Sequence, residues 1–324
     1  MRVLLVSSTA LSPNLADFHQ RAFVSAGCEV KRLQLKFARK LSYFPNKLFR
    51  LSRLTPGFKY SLREEMPSGS FDLILVYQSF GMTADVQEVL RDRTSCLINY
   101  WSDNPSVGDI IDMRGFSRFL KFFDHVAVPT SVYAPIFYAK GAESVQTLEF
   151  GFSSELHRYD PVLTNATPKR IAYFGAKNEE VASLIEHSPI PVDIFGNHWS
   201  TFKVRNARIC GGGVGFKFPD VVKKYPVVIN QTRPRHFSGV SMKLFELAAM
   251  GRVVIMNREP IRTPDFVHGH HAVLFDSGNQ FKQSIEDVCN GQFDLIGISS
   301  NARQLVEPFE YTANIKRFLS RLNF

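Results

Sequence analysis

The chain has 324 residues, 44 % of them hydrophobic with 29 Phe, and a formal net charge of +9. That is long for one compact domain, comfortable for two, and too apolar for intrinsic disorder. Nothing approaches the roughly 18 consecutive apolar residues of a membrane-spanning helix. Cys28, Cys96, Cys210 and Cys289 lie far apart with no CxxC pair, which argues against a disulfide framework or a structural zinc site and suits reduced thiols in a cytoplasm.

MRVLLVSS has too short an apolar run for a secretory signal and reads as a first strand. A helix around ADFHQRAFVSAG, closed by Gly27, leads to the strand EVKRLQL. From Lys31 to Arg63 the chain carries ten Lys or Arg and no Asp or Glu, enough to account for the whole charge surplus. Phe37, Tyr43, Phe44, Phe49, Phe58 and Tyr60 are interleaved with those cations. The mixture suits an anionic membrane surface, where each basic residue near the headgroups contributes about 1 kcal/mol. It also suits a nucleic-acid backbone, and a solvated loop-and-helix face is the plain alternative.

FDLILVYQS follows as a buried strand, TADVQEVLRD as a helix and SCLINYWSD as another strand. A helix around GFSRFLKFFD precedes the strand HVAVPT, and SVYAPIFYAKG is a further helix ended by Gly141. Parallel strands joined by helices imply a doubly wound α/β sheet. Residues 153–169, with Pro161 and Pro168 and little periodicity, read as a linker.

The pattern then restarts. RIAYFGA is a strand, EEVASLIEHS a helix, VDIFGN a strand, and PDVVKKY a short helix before the strand PVVINQT. Ser241–Met250 is a helix running into a strand at 252–256. HAVLF is a late strand, FKQSIEDVCNG a helix, and TANIKRFLSRL an amphipathic terminal helix. The expected fold class is therefore α/β with two Rossmann-like lobes, at 1–152 and 170–306, followed by a terminal helix at 307–324. Open α/β sheets bind ligands outside the carboxyl ends of their strands, so the expected ligand site is the cleft between the lobes.

Two charges interrupt the apolar helix at 241–250. Lys243 and Glu246 are three apart and share one side, where they can pair or address a common ligand. Ser238, Gly239 and Ser241 place hydroxyls and bare backbone at the start of the helix, whose free N–H groups and dipole favour phosphate. Asn230, Arg233 and Arg235 add donors from the end of the preceding strand. Together these suit a nucleotide diphosphate, with Glu246 accepting from the ribose hydroxyls. A capped surface helix with an ordinary Lys–Glu pair is the alternative reading of the same spacing.

SMKLFELAAMGRVVI resembles the donor-binding helix and following strand of GT-B glycosyltransferases, and more narrowly the CgeB-like group and the related family 4 enzymes. MRVLLVSS, SDNP at 102–105, YFGA, DIFGNHW at 193–199, KKYPVVIN at 223–230 and YTANIKRFLSRL fall in the order such chains show. The resemblance spans nearly the whole chain, most strongly from Ile171 to Met256. It implies a donor ribose on Glu246, a diphosphate near Lys243 and the 238–241 backbone, and further donor contacts at Gly175, Lys177 and Arg233. It also implies that Gly213 and Val214, in GGGVGF, line the nucleotide base. Many family 4 retaining enzymes carry a second glutamate eight positions before the first, where this chain has Ser238, so the resemblance leaves retention or inversion open.

The resemblance puts acceptor contacts and any general base in the first lobe. Asp103 ends a strand at its carboxyl side and, with Ser102, occupies the place of a His-Asp pair in relatives; capping a turn before Asn104–Pro105 is its other reading. His19 and Gln78 are lesser acceptor-side candidates. His268, His270 and His271 lack helical spacing and partner cysteines, so no metal is expected, nor any cofactor beyond the nucleotide-sugar donor. The implied function is sugar transfer from a nucleotide-diphosphate donor to a glycan or lipid-linked acceptor, as in cell-surface polysaccharide assembly, in the cytoplasm and peripherally at the membrane through 31–63. The rivals are a nucleotide-sugar epimerase of the same architecture, or a nucleic-acid-binding or nucleic-acid-modifying protein.

Overall fold

A computed structural model describes residues 1–7, 15–34, 66–77, 84–103, 120–162, 164–201, 203–212, 217–231, 241–258 and 264–324. Contacts divide the chain into two units: residues 1–149 with 311–324, and residues 150–310.

In the first unit, β1 (Arg2–Ser7), β2 (Glu29–Gln34), β3 (Leu73–Tyr77), β4 (Leu97–Tyr100), β5 (His125–Val128) and β6 (Val145–Thr147) form one parallel sheet in the order β2-β1-β3-β4-β5-β6. Helices α1 (Leu15–Ser25), α2 (Ala84–Arg91) and α3 (Ala134–Ala139) belong to the crossovers that parallel pairing requires. The terminal helix α9 (Tyr311–Arg321) returns to this unit, buries Tyr311, Ile315 and Phe318, and stacks Tyr311 on Phe18 of α1 with ring centroids 5.5 Å apart. Apolar runs such as LILVY and LINY form the central strands because a parallel sheet is covered on both faces.

The second unit repeats the plan with β7 (Ile171–Phe174), β8 (Val192–Phe195), β9 (Ala207–Ile209), β10 (Val227–Asn230), β11 (Val253–Asn257) and β12 (Val273–Phe275). Its helices are α4 (Glu179–Glu186), α5 (Phe218–Val222), α6 (Met242–Ala249), α7 (Gly278–Cys289) and α8 (Leu295–Val306). Alternate strand residues supply opposite faces. Ala172, Val228 and Val254 join one buried cluster, while Tyr173, Ile229 and Ile255 join the other. The strand order is β12-β11-β10-β7-β8-β9. Counted from β7 this is the order of dinucleotide-binding sheets, in which the winding reverses between the first strand and the fourth, here β7 and β10. Two expectations of the sequence, two doubly wound α/β sheets and parallel pairing throughout, are what the structure has.

Three details differ from the sequence reading. Residues 153–169 belong to the second unit, because Phe152, His157 and Val162 are buried there. The Val162 amide donates to Ser299 Oγ at 3.4 Å, and Asp160 donates to the Met250 carbonyl. The short edge strands β6 and β9 and the whole of α8 were not anticipated. Residues 131–133 form a tight turn ahead of α3 and are not part of that helix.

Candidate functional site

The winding reversal puts the ends of β7 and β10 side by side, and eleven residues separate the end of β10 from the start of α6. Ser241 caps α6: its backbone is extended and its Oγ accepts from the Leu244 amide at 3.3 Å. The same hydroxyl donates to Asn230 Oδ1 at 3.2 Å, tying the helix start to the end of β10. Asn230 is buried, and its Nδ2 amide has no hydrogen-bond partner among the described residues. Beside a helix N-terminus, whose first amides also lack intrahelical partners, this amide adds to the donors that an acceptor can engage.

One turn into α6 stands Glu246. The helix directs Leu244, Phe245, Leu247 and Ala248 into the core, and Glu246 is buried with them at 2 % exposure. Its Oε2 lies 2.8 Å from Lys243 Nζ, whose side chain is 31 % exposed. That ammonium also rests 3.8 Å from the centroid of the Phe218 ring on α5. Oε1 faces His157 Nε2 at 3.7 Å. His157 Nδ1 accepts from the Ser153 amide at 3.1 Å, so a neutral imidazole there carries its proton on Nε2, towards the carboxylate. Burial lowers the His157 pKa, Glu246 opposes that shift and Lys243 adds to it. His157 was not anticipated from the sequence. It sits in the stretch read as a linker, and no local spacing relates it to a helix 89 residues later.

Gly175, Gly196 and Gly212 follow β7, β8 and β9. A Cβ on Gly196 would collide with the Gly175 carbonyl oxygen, and one on Gly212 with the Asn197 side chain. Trp199 Nε1 donates to the Gly175 carbonyl at 2.8 Å, and the Lys177 amide donates to the Asn197 carbonyl at 3.0 Å. Close backbone packing therefore already requires a glycine at position 196, before any ligand is considered. Lys177 lies half-buried on this ledge beside the winding reversal.

The first-lobe candidates are placed differently. His19 is fully buried; its Nδ1 is 2.9 Å from the Tyr77 hydroxyl, and Tyr100 and Tyr311 set their rings edge-on to it. Burial lowers its pKa to about 3, so it is a neutral interior histidine in this structure and not a surface base. Asp103 and Ser102 are half-buried just past β4. His268 and His271 accept backbone amides from Leu274 and Val267, and His270 pairs with Asn301. Among the described residues no group of His, Cys, Asp or Glu is gathered to hold a metal ion, and no helix is long and apolar enough to cross a membrane. Gln78, Gly213, Val214, Arg233, Ser238, Gly239 and positions 35–63 of the basic stretch lie outside the described residues.

Residues 177–318, a little under half of the chain, match the family model described as "Glycosyl transferase-like". No curated protein matches the chain in sequence. Among solved structures, HepE of Anabaena, crystallised with UDP and glucose, superposes with a TM-score of 0.67 at 14 % identity, over 100 % of this chain and 99 % of that one. Sucrose-phosphate synthase of Thermosynechococcus elongatus gives 0.72 at 13 % identity, over 99 % of this chain and 98 % of that one. The lipopolysaccharide outer core galactosyltransferase WaaB gives 0.62 at 12 % identity, over 99 % and 100 %. The matched segment is thus similar to glycosyl transferases, and the chain as a whole shares the fold of these solved structures. The matched segment holds Lys177, Asn230, Ser241, Lys243 and Glu246, and ends inside α9.

Proposed function

We propose that the second unit binds a nucleotide-diphosphate sugar, with the diphosphate at the N-terminus of α6 and the ribose on Glu246, and that the sugar passes to an acceptor hydroxyl. The observation that carries this reading is the buried Glu246 carboxylate, set one turn into the helix that follows the winding reversal and paired to a partly exposed lysine. In the transfer the acceptor oxygen attacks the anomeric carbon, and the bond from that carbon to the diphosphate breaks. The nucleoside diphosphate leaves with the electron pair. Amides at the tip of α6 and the Lys243 ammonium are suited to hold that growing negative charge, which in this reading needs no metal ion. Asp103 is the candidate for taking the acceptor proton.

The HepE structures contain UDP or UDP-glucose, which makes uridine nucleotides the first probes. WaaB acts on the lipopolysaccharide outer core, and a glycan or lipid-linked acceptor in cell-surface polysaccharide assembly is the matching proposal here. The same reading puts the protein in the cytoplasm, with residues 31–63 docking on an anionic leaflet; equal recovery with anionic and neutral vesicles in a flotation assay removes that part.

A thermal-shift panel of UDP, ADP, GDP and their sugars tests the core of the proposal. A bound nucleotide at a hundred times its Kd stabilises the fold by about 2.7 kcal/mol. Glu246→Ala and Lys243→Ala should abolish the shift while the proteins stay folded. A shift that survives both changes rules out the proposed donor site.

A further inference from the structure

We propose that His157 is a positioning residue: it holds the Glu246 carboxylate in place for the donor ribose once Lys243 turns to the diphosphate. The inference rests on the donor site proposed above and assigns a role to a residue that the site does not otherwise need.

Glu246 is the residue that needs holding. Its carboxylate is 2 % exposed, and the Lys243 ammonium at 2.8 Å is its only close ionic partner among the described residues. Lys243 stands in the first turn of α6 with its side chain 31 % exposed, and its other described contact is the Phe218 ring. A flexible lysine on the same face as a phosphate site is drawn to the more highly charged group when a diphosphate arrives. Its departure takes away the one described cation at hydrogen-bond distance from a buried carboxylate, which raises the value of any donor that remains.

His157 is that donor. It is 4 % exposed, and it cannot turn away. Its Nδ1 is held by the Ser153 amide, its own amide donates to the Ser153 carbonyl at 2.7 Å, and its ring meets Phe218 edge-on. With Nδ1 engaged as an acceptor, the proton sits on Nε2 and faces Oε1. At 3.7 Å the pair is longer than a hydrogen bond, so in this state it contributes little. Its work comes when Lys243 leaves and the ribose hydroxyls take the other oxygen. His157 then fixes the plane of the carboxylate, and that plane decides whether both vicinal hydroxyls can reach it.

The test compares a ribonucleotide with its sugar-poor analogue. UDP and 2′,3′-dideoxy-UDP are titrated calorimetrically into the full chain, with ADP or GDP pairs substituted where the panel shows tighter binding. The wild type should favour the ribo form by about tenfold or more, the size of a lost hydrogen bond to a charged group. His157→Phe, which keeps a ring against Phe218 but has no Nε2–H, should weaken UDP by about that factor and leave the dideoxy analogue unchanged. His157→Gln, which returns an N–H donor, should recover most of the preference. If His157→Phe does not fold, His157→Leu carries the same expectation. A ribo preference equal to the wild type in the Phe or Leu variant overturns the proposal. Should Glu246→Ala also leave the preference untouched, the ribose assignment itself has failed; should Glu246→Ala erase it while His157→Phe does not, only the role of His157 is lost.

Discussion

Among the described residues, two carboxylates are buried in the second unit, and they are held in different ways. Asp193, in β8, is fully buried and accepts from Arg170 at 3.0 and 2.5 Å, from Arg208 at 2.9 and 2.6 Å, and from the Tyr225 hydroxyl at 2.7 Å. Burial alone would raise its pKa, but those hydrogen bonds outweigh it and hold the carboxyl down to about 2. Glu246 has one partly exposed lysine at hydrogen-bond distance and a histidine just beyond it. Asp193 stands where Arg170 enters β7 and Tyr225 precedes β10, at the start of the strands. Glu246 stands on α6, the helix that follows the carboxyl end of β10. A carboxylate whose acceptor sites are saturated by the chain has none left for a ligand; one left short of donors has. The difference separates a structural anchor from a binding group within a single sheet.

The largest effect should fall on the anchor. Asp193→Ala strands the Tyr225 hydroxyl and the guanidinium groups of Arg170 and Arg208, and should cost about 3 kcal/mol in chemical denaturation while leaving any residual folded fraction able to bind nucleotide. Gly196→Ala comes next: its Cβ meets the Gly175 carbonyl, so the ledge must shift, with an expected loss of about 2 kcal/mol and weaker nucleotide binding together. Glu246→Ala should reverse the pattern, costing about 1 kcal/mol or less because Lys243 can turn to water, yet abolishing the nucleotide shift. If Glu246→Ala destabilises as much as Asp193→Ala, the contrast fails. Smallest is Ser241→Ala, which removes the cap of α6 for about 1 kcal/mol and modestly weakens diphosphate binding.

Acid sharpens the same contrast. A histidine whose pKa drops to about 3 on folding makes the native state bind fewer protons than the unfolded chain. The stability from keeping His19 neutral is thus fully present above its ordinary pKa of 6.5 and falls away as the pH drops from there towards 3. For Asp193 the corresponding loss begins only below the ordinary value of 3.8 and runs down through about 2. Stability measured by denaturant between pH 6.5 and 4 should therefore decline less steeply in His19→Gln than in the wild type, whereas Asp193→Asn should differ from it in slope only below pH 4.

Much of this was legible in the sequence because it depends on neighbours in the chain. The strand runs, the helix period at 242–249 and the three-residue spacing of Lys243 and Glu246 are local, and both sheets and that ion pair follow from them. α8 was missed because Gly297, Ser299, Ser300 and Asn301 are poor helix formers, and it is packing on the sheet and on α6 that makes LIGISSNARQLV helical. β9 was missed because three edge residues with Arg208 among them carry no apolar run. His157 was hidden since its relation to Glu246 exists only after residues 150–170 pack into the second unit. The enclosure of His19 was hidden because the three tyrosines around it come from β3, β4 and α9, far apart in the sequence.

The account stands most directly on where a nucleotide sits. A crystal of the full chain grown with UDP, or with ADP or GDP if one of those binds more tightly, should show the two phosphates against the amides that open α6, Lys243 turned towards them, and the ribose hydroxyls on the Glu246 carboxylate with His157 behind it. Ordered nucleotide density away from the end of β10, with the Lys243–Glu246 pair unbroken at 2.8 Å, would contradict it.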